Sequence, residues 1–175
     1  MRVARRSFTA SLAAFVVSPL ANLIASSPAS AREVVTFNDN VSAGTIVVRT
    51  GERRLYLVLG RGQALRYPVG VGRAGKQWMG TSYIDSKRVR PDWAPPPDVK
   101  RDNPRLPDLI PGGSPRNPMG EAALTLAGGE YAIHGTNQPS SVGGFVSYGC
   151  IRMYNADIMD LFARVSVGTP VVVTR

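Results

Sequence analysis

The sequence of 175 residues contains one histidine, His134, and one cysteine, Cys150. A single cysteine cannot form an internal disulfide, and one histidine with one cysteine cannot supply the ligands of a structural zinc site. Any chemistry that pairs an imidazole with a thiol must therefore use these two residues. No motif indicates a metal or cofactor, since the sequence has no Walker loop, and Ser147 does not lie in a G-x-S-x-G nucleophile motif.

Acidic residues are also scarce, with 12 of them against 21 lysines and arginines and a formal net charge of +9. Three of the arginines and none of the acids lie in residues 1–31, so the remaining chain keeps an excess of six positive charges. These charges are scattered and have no interleaved aromatic groove, which argues against nucleic acid as a partner. A diffuse positive charge suits a polymer rich in carboxylates, or serves solubility alone.

One long apolar run without charges spans residues 8–25, after a basic start and before a small-residue cleavage site that ends at Ala31. This is the three-part pattern of a secretory signal peptide. We therefore expect a leader at residues 1–31 and one exported, periplasmic domain at residues 32–175. Polar residues interrupt the run, which disfavours a permanent membrane anchor. The two adjacent arginines also resemble a twin-arginine signal, so both export routes stay open.

Short β-branched and aliphatic runs, separated by glycine-rich turns, dominate the rest of the chain. We expect strands at Thr45–Thr50, Leu55–Leu59, Ala64–Val69, Ala122–Leu126, Glu130–Ile133 and Thr169–Thr174. Runs of this length and spacing are typical of an antiparallel β-sandwich or barrel. Asn155 or Asp157 can cap one short helix that continues to about Val165. The sequence therefore predicts a mostly β fold with one short helix after the cysteine.

The glycines of residues 70–75 match the dinucleotide-binding pattern G-x-G-x-x-G. That motif requires a helix that begins at the glycines inside a strand–helix–strand unit. No helical periodicity or cap follows them here. We therefore interpret the segment as a loop between strands.

Residues 86–120 differ from their flanks because they are rich in proline and contain Trp93. A segment this rich in proline cannot pair as a central strand. Long irregular segments inside a compact domain are usually functional loops or disordered. The regular proline spacing and the embedded tryptophan favour a folded lid over the site, with a simple surface excursion as the alternative.

The segment that holds the histidine and the cysteine can bring them together. His134 ends a predicted strand, and the link to Cys150 is rich in glycine and serine, so it can fold back. A thiol becomes a strong nucleophile when a nearby imidazole accepts its proton. The imidazole itself must be oriented by an acceptor, and the carbonyl of Gly135 is the local candidate.

Two residues beside the cysteine, together with its own backbone, fit acyl transfer. Gly149 allows close approach of the backbone, and the N–H groups of Gly149 and Cys150 could stabilise a tetrahedral oxyanion. In an extended loop, the side chain of Arg152 points to the same side as Cys150, where it could bind a substrate carboxylate. The residues thus predict acyl transfer through a thioester on a carboxylate-bearing substrate, although Arg152 could also form a surface ion pair.

The segments His134–Asn137 and Ser147–Met153 resemble the signature of the L,D-transpeptidase catalytic domain family, the YkuD type. Further similarity to the exported subgroup with a proline-rich insertion lies in Pro91–Pro96, Leu106–Pro107, Ile110–Gly113, Asn117–Gly120 and Val167–Thr169. The resemblance covers nearly all of residues 32–175. It implies a β-sandwich fold, a peptidoglycan substrate and no cofactor.

The resemblance also implies residue roles. Cys150 would be the nucleophile that attacks a tetrapeptide stem, His134 the base, and the Gly135 carbonyl the group that orients it. The backbone of Tyr148, Gly149 and Cys150 would form the oxyanion hole. Arg152, Asn137, Ser147 and Trp93 would contact substrate.

In the family, the third-residue amide of the stem is cut, D-alanine leaves, and an amine takes the acyl group. That amine belongs to another stem, giving a 3–3 cross-link, or to a lysine of an outer-membrane protein. The family also implies a covalent adduct with carbapenems. Many members carry a second histidine where this chain has Tyr148, so no role for a second imidazole is expected.

The alternatives are an L,D-carboxypeptidase that uses water, and a wall-binding module without catalysis. The intact set of His134, Cys150 and Arg152 argues against the module. A sortase-like enzyme would need a much longer histidine-to-cysteine gap, and NlpC/P60-type peptidases have the reverse order of these residues.

Overall fold

The computed structural model describes residues 32–128 and 130–175, and the expected leader at residues 1–31 lies outside the described residues. The strands are β1 (Glu33–Thr36), β2 (Ile46–Arg49), β3 (Arg54–Gly60), β4 (Gln63–Pro68), β5 (Val71–Gly72), β6 (Gly80–Val89), β7 (Ala122–Leu126), β8 (Ala132–His134), β9 (Phe145–Ser147), β10 (Ile151–Arg152) and β11 (Pro170–Thr174). The helices are α1 (Pro97–Asp102) and α2 (Asn155–Arg164), and a 3-10 turn spans Pro139–Ser141. Neither α-helix of the described part is long and apolar enough to span a bilayer.

Nine strands form one sheet in the order β1-β4-β3-β2-β11-β6-β7-β8-β10, and β5 pairs separately with β9. The predicted mostly β fold is confirmed, but the sheet is mixed, because β2 runs parallel to β11 and β8 runs parallel to β10. After β8 the chain crosses back through residues 135–150 before it enters β10. The two strands therefore point the same way, and the start of β10 lies beside the start of β8.

Strand β6 joins the two halves of the sheet. Its first half pairs with β11 and its second half with β7, and the register shifts between Ile84 and Ser86. Such a bulge bends a strand and increases its twist. Both halves contribute to one buried apolar cluster, which includes Ile46, Leu55, Tyr67, Leu124, Ile133, Ile151 and Met153. The halves therefore share one core, against which α2 packs Ile158 and Leu161.

The six strands predicted from the sequence are present, with ends that differ by at most two residues. The predicted loop at residues 70–75 is also present in part, since β5 leads through a turn at Arg73–Lys76 to β6 without a helix. A Cβ atom on Gly72 would lie 2.4 Å from the carbonyl oxygen of Lys76. The glycine is thus explained by a close approach of two backbone segments.

Residues 90–120 form an irregular segment at the place of the expected lid, and we keep the name lid for it. Residues 86–89, which we expected in this segment, instead continue β6 and pair with β7. The lid is folded: the backbones of Trp93 and Ile110 exchange hydrogen bonds of 2.9 and 2.8 Å, and α1 begins with a proline in its first turn. The side-chain amide of Asn117 lies 2.9–3.1 Å from three lid carbonyls and closes the base of the segment.

Candidate active site

Parallel strands β8 and β10 place three predicted site residues in one cleft. Ile133 pairs with Ile151 and His134 pairs with Arg152. Because side chains alternate along a strand, the two isoleucines enter the core while His134 and Arg152 point to the other side. Cys150 directly precedes β10, and its side chain lines the same cleft as His134 and Arg152. The structure therefore brings together the predicted nucleophile, base and arginine.

The imidazole of His134 is buried, with 4% of the residue exposed. Its Nδ1–H donates to the Gly135 carbonyl oxygen at 2.6 Å, which leaves Nε2 as the nitrogen that can accept a proton. Burial, followed by the positive charge of Arg152, lowers the pKa of His134 to about 4. The ring is thus neutral near pH 7, the form that a general base requires.

Asn155 fixes the peptide that orients this ring. Its Oδ1 accepts hydrogen bonds from the N–H groups of Thr136 at 3.0 Å and Glu121 at 3.2 Å. The Thr136 N–H and the Gly135 carbonyl belong to the same planar peptide, so holding one end directs the other. A Cβ atom on Gly135 would lie 2.2 Å from this oxygen, which explains the glycine. The sequence suggested Asn155 as a helix cap, but α2 has no side-chain cap and Asn155 faces the histidine loop instead.

Cys150 is half-buried and is the one free cysteine of the chain. Burial raises the pKa of its thiol, while the backbone N–H of Ala132 and the charge of Arg152 act in the opposite direction. With a raised thiol pKa and a lowered imidazole pKa, the thiol and the imidazole that line this cleft are both neutral at rest. Such a pair needs proton transfer to His134 as the thiol attacks.

The nucleophile loop, residues 147–150, is braced from within by Ser147. The Ser147 hydroxyl, 2% exposed as a residue, accepts from the Gly149 N–H at 3.1 Å and donates to the Cys150 carbonyl at 2.6 Å. Its side chain, which we expected to contact substrate, is therefore used inside the loop. Because the Gly149 N–H donates to the Ser147 hydroxyl, this N–H, which we expected in an oxyanion hole, already has an acceptor. The Cys150 N–H, by contrast, meets no acceptor among residues 32–128 and 130–175.

Trp78 braces the same loop from outside, and sequence reasoning did not single it out. Its indole Nε1–H donates to the Gly149 carbonyl at 3.0 Å. The indole stacks on the ring of Tyr131 with centroids 4.9 Å apart and planes 8° from parallel. Gly149 has φ +126°, and a Cβ atom there would lie 2.3 Å from the Tyr131 ring. Only glycine fits between this aromatic pair and the cysteine.

Arg152 carries the cation of the cleft. Its backbone exchanges two hydrogen bonds of 2.8 Å with Gly70, which holds the residue in place. Its Nε is buried and has no hydrogen-bond partner within the described chain, and none of the ion pairs found there includes its guanidinium. Burial lowers the pKa of Arg152. A partly buried guanidinium whose buried Nε has no partner is costly, so it suits a ligand that brings a carboxylate.

The lid covers the cleft that holds the three residues. Its contribution to the cleft lining comes from Trp93, Pro96, Val99, Pro118 and Met119. The cleft has a volume of about 70 Å³. Trp93 therefore lines the same cleft as the three residues, whereas the exposed Asn137 donates to the Pro115 carbonyl at 3.2 Å and lines a different cleft.

Polar contacts tie α1 of the lid to the nucleophile loop. The Tyr148 hydroxyl donates to Asp102 Oδ2 at 2.6 Å, and Arg73 donates to the same oxygen at 2.8 Å. The Arg73 guanidinium also lies over the Tyr148 ring, 4.1 Å from its centroid. The Tyr148 hydrogen bond, followed by that of Arg73, lowers the pKa of Asp102. A second ion pair joins Lys76 to Asp98 in the same helix.

A family model and a similar protein sequence both assign this chain to one family. Residues 43–173 match the family described as YkuD, the L,D-transpeptidase catalytic domain. The protein named "Probable L,D-transpeptidase ErfK/SrfK" from Escherichia coli is 41% identical over 142 residues, which are 76% of this chain and 44% of that protein. The chain thus spans less than half the length of this curated relative.

Two solved structures are similar in fold. L,D-transpeptidase 3 from Mycobacterium tuberculosis, in complex with a faropenem-derived adduct, has a TM-score of 0.56 and 16% identity over 75% of this chain and 60% of its own. A Brucella melitensis protein, described as a probable carnitine operon oxidoreductase, has a TM-score of 0.55 and 39% identity over 85% of this chain and 96% of its own.

Proposed function

Because the chain belongs to the family of the YkuD L,D-transpeptidase catalytic domain, we propose that it is a peptidoglycan L,D-transpeptidase that works through a thioester on Cys150. The family consists of acyltransferases that act on the cell wall. Beyond membership of this family, we propose that a tetrapeptide stem is the acyl donor, that the residues have the roles given below, and that this protein is exported to the periplasm.

The observation that carries the proposal is the shared cleft of His134, Cys150 and Arg152. A neutral, oriented imidazole, a thiol and a partly buried cation without a protein partner are the groups that acyl transfer from a carboxylate-bearing peptide requires. A wall-binding module without catalysis would not need a buried neutral histidine beside a half-buried thiol.

Acylation follows from these positions. Nε2 of His134 accepts the proton of the Cys150 thiol while Sγ attacks the carbonyl carbon of the third stem residue. The oxyanion of the tetrahedral intermediate accepts a hydrogen bond from the Cys150 N–H, which has no acceptor in the described chain. When the C–N bond breaks, the imidazolium returns its proton to the departing amine of D-alanine, and the thioester remains.

Deacylation reverses the roles. An acceptor amine loses a proton to His134, its nitrogen attacks the thioester carbonyl, and the released thiolate of Cys150 recovers the proton from the imidazolium. The acceptor amine belongs to a second stem or to a lysine of an outer-membrane protein, and water in its place would give a carboxypeptidase. Arg152 pairs with a carboxylate of the donor stem, and Trp93 packs over it from the lid.

The description of the Brucella protein raises oxidoreductase chemistry as another candidate. In this chain the glycines of residues 70–75 lead from β5 through a turn to β6, so no helix begins at them. A dinucleotide phosphate site of the familiar kind needs that helix. The geometry therefore favours acyl transfer.

The test exposes the purified protein to imipenem and then weighs it. The expected result is one covalent adduct, absent from the variant Cys150→Ala. Incubation with tetrapeptide stems should then release D-alanine and yield either cross-linked dimers or tripeptides, which separates an amine acceptor from water. A wild-type protein that forms no adduct and leaves tetrapeptide stems intact would contradict the proposed function.

A further inference from the structure

The Gly149 carbonyl and the Cys150 N–H are the two ends of one planar peptide. In a trans peptide these groups point in opposite directions, so fixing the oxygen fixes the direction of the N–H. The indole of Trp78 holds this oxygen at 3.0 Å from Nε1. Trp78 lies 71 positions earlier in the chain, so the contact depends on the tertiary fold.

This peptide has few other restraints. Ser147 binds the groups on either side, the Gly149 N–H and the Cys150 carbonyl, but neither end of the peptide between them. Gly149 has no side chain to limit rotation about its own backbone and adopts φ +126°, a conformation that other residues rarely reach. The Trp78 hydrogen bond is therefore the contact that sets the orientation of this unit.

The indole is itself held in place. It stacks on Tyr131, and both rings pack against the main apolar core. Tyr131 also touches the Cα side of Gly149, where a Cβ atom would clash with its ring. The aromatic pair thus contacts the peptide from two directions.

We propose that Trp78 is a positioning residue that aims the Cys150 N–H at the oxyanion formed during acylation. This inference rests on the proposed function, since the oxyanion arises in that reaction. The hydrogen bond to the carbonyl also polarises the peptide, which makes its N–H a better donor. Trp78 touches neither the thiol proton nor the imidazole in this scheme, so the nucleophile should remain as reactive as before.

Two reactions of the same thiol separate these roles. Acylation by imipenem passes through a tetrahedral oxyanion, whereas alkylation by iodoacetamide forms an S–C bond and expels iodide without one. In Trp78→Phe the ring can still stack on Tyr131, but the N–H donor is lost. The acylation rate should fall about tenfold, a part of the ~10²–10³-fold cost of losing a whole oxyanion donor. The alkylation rate and its pH profile should stay unchanged.

A second variant separates the loss of the N–H donor from the change in side-chain shape. In Trp78→His the imidazole can place an N–H at the ring position of the indole nitrogen, but the stacked benzene ring is lost. Its ratio of acylation to alkylation should exceed that of Trp78→Phe, and circular dichroism of both variants before the assay verifies that they are folded. The exposed Tyr83 on β6 offers a control, Tyr83→Phe, for which both rates should match the wild type.

Three results would overturn the inference and leave the proposed function standing. Equal losses of acylation and alkylation would show that Trp78 supports the loop as a whole, and an unchanged acylation rate in Trp78→Phe would show that the hydrogen bond has no effect. A higher ratio in Trp78→Phe than in Trp78→His would assign the role to bulk. Failure of the wild type to acylate would instead refute the proposed function, and the inference with it.

Discussion

The nucleophile loop and the lid both line one cleft and are held in different ways. The loop is fixed by short hydrogen bonds from Ser147 and Trp78, in surroundings that are mostly buried. The lid is tied to the loop by the hydrogen bond between Tyr148 and Asp102, and to the turn after β5 by the ion pairs of Asp102 with Arg73 and of Asp98 with Lys76, all near the surface.

This difference assigns different tasks to the two sides. Buried hydrogen bonds hold groups to the small tolerances that bond making requires. Exposed ion pairs contribute little and weaken with salt, so they allow a segment to open. The cleft of about 70 Å³ is much smaller than the roughly 300–1,000 Å³ of typical ligand sites. The proposed binding of a peptide stem therefore requires a movement, and the lid is the segment held by the weaker contacts.

The largest effect should come from removing the base. In His134→Gln the thiol loses its proton acceptor, and acylation by imipenem should fall about 10²–10⁴-fold. Stopped-flow measurement of adduct formation checks this value. A loss of only a few fold would show that Cys150 ionises without the imidazole and that the two neutral groups do not act as a pair.

The same variant tests the buried state of His134 through pH. The pKa of His134 is about 4 in the folded protein and about 6.5 when unfolded, so the unfolded chain binds more protons between these values. The free energy of unfolding should therefore rise by about 3 kcal/mol as the pH increases from 4 to 6.5. Denaturant titrations of His134→Gln should lack this part of the slope, while a slope equal to that of the wild type would place its origin in other groups.

The next effect concerns the cation of the cleft. Arg152→Met should weaken the binding of the donor stem by about 10- to 100-fold, the usual range for the loss of a hydrogen bond to a charged group. Stems amidated at one carboxylate at a time should show which carboxylate the wild type recognises, because that stem will have a raised KM. Arg152→Met should have the same KM for this amidated stem as for the unmodified one. Arg164, which pairs with Asp160 on the surface of α2, gives the control Arg164→Met with no change in KM. Retained discrimination in Arg152→Met would remove this arginine from substrate binding.

Local sequence patterns predicted the parts of the fold that local chemistry decides. Long aliphatic runs such as Leu55–Leu59 formed strands, and the apolar face of the segment after Asn155 formed a helix. Such patterns did not predict the two-residue strand β10, because its pairing with β8 depends on the path of residues 135–150 between the two strands. Helix α1 was hidden by its prolines, although Pro97 is compatible with a first helical turn.

The candidate site divides in the same manner. His134, Cys150 and Arg152 were identified because their residue types are rare or charged and close in sequence. Trp78 acts through one hydrogen bond to a backbone group 71 positions away, and Asn155 acts through two, to backbone groups 19 and 34 positions away. No periodicity or composition encodes such a contact, so the supporting residues of the site became visible only in the tertiary structure.

The smallest effect should come from the lid. Tyr148→Phe removes the hydroxyl that donates to Asp102 but keeps the ring under Arg73, so the tie is weakened without being lost. Because exposed polar contacts are weak, acylation should rise by roughly two- to fivefold as the lid opens more often. Trypsin should also cut faster at Arg101 and Arg105 in the lid, and added salt should narrow the gap between variant and wild type.

The double variant with Asp102→Asn makes this prediction specific. Tyr148 and Asp102 share one hydrogen bond, so their combined effect should be smaller than the product of the two single effects. A combined fold-change equal to the product of the two single fold-changes would show that the two residues act separately. A loss of acylation near a hundredfold in Tyr148→Phe would place its hydroxyl in the chemistry, and the division between a rigid catalytic side and an opening lid would then have to be redrawn through residue 148.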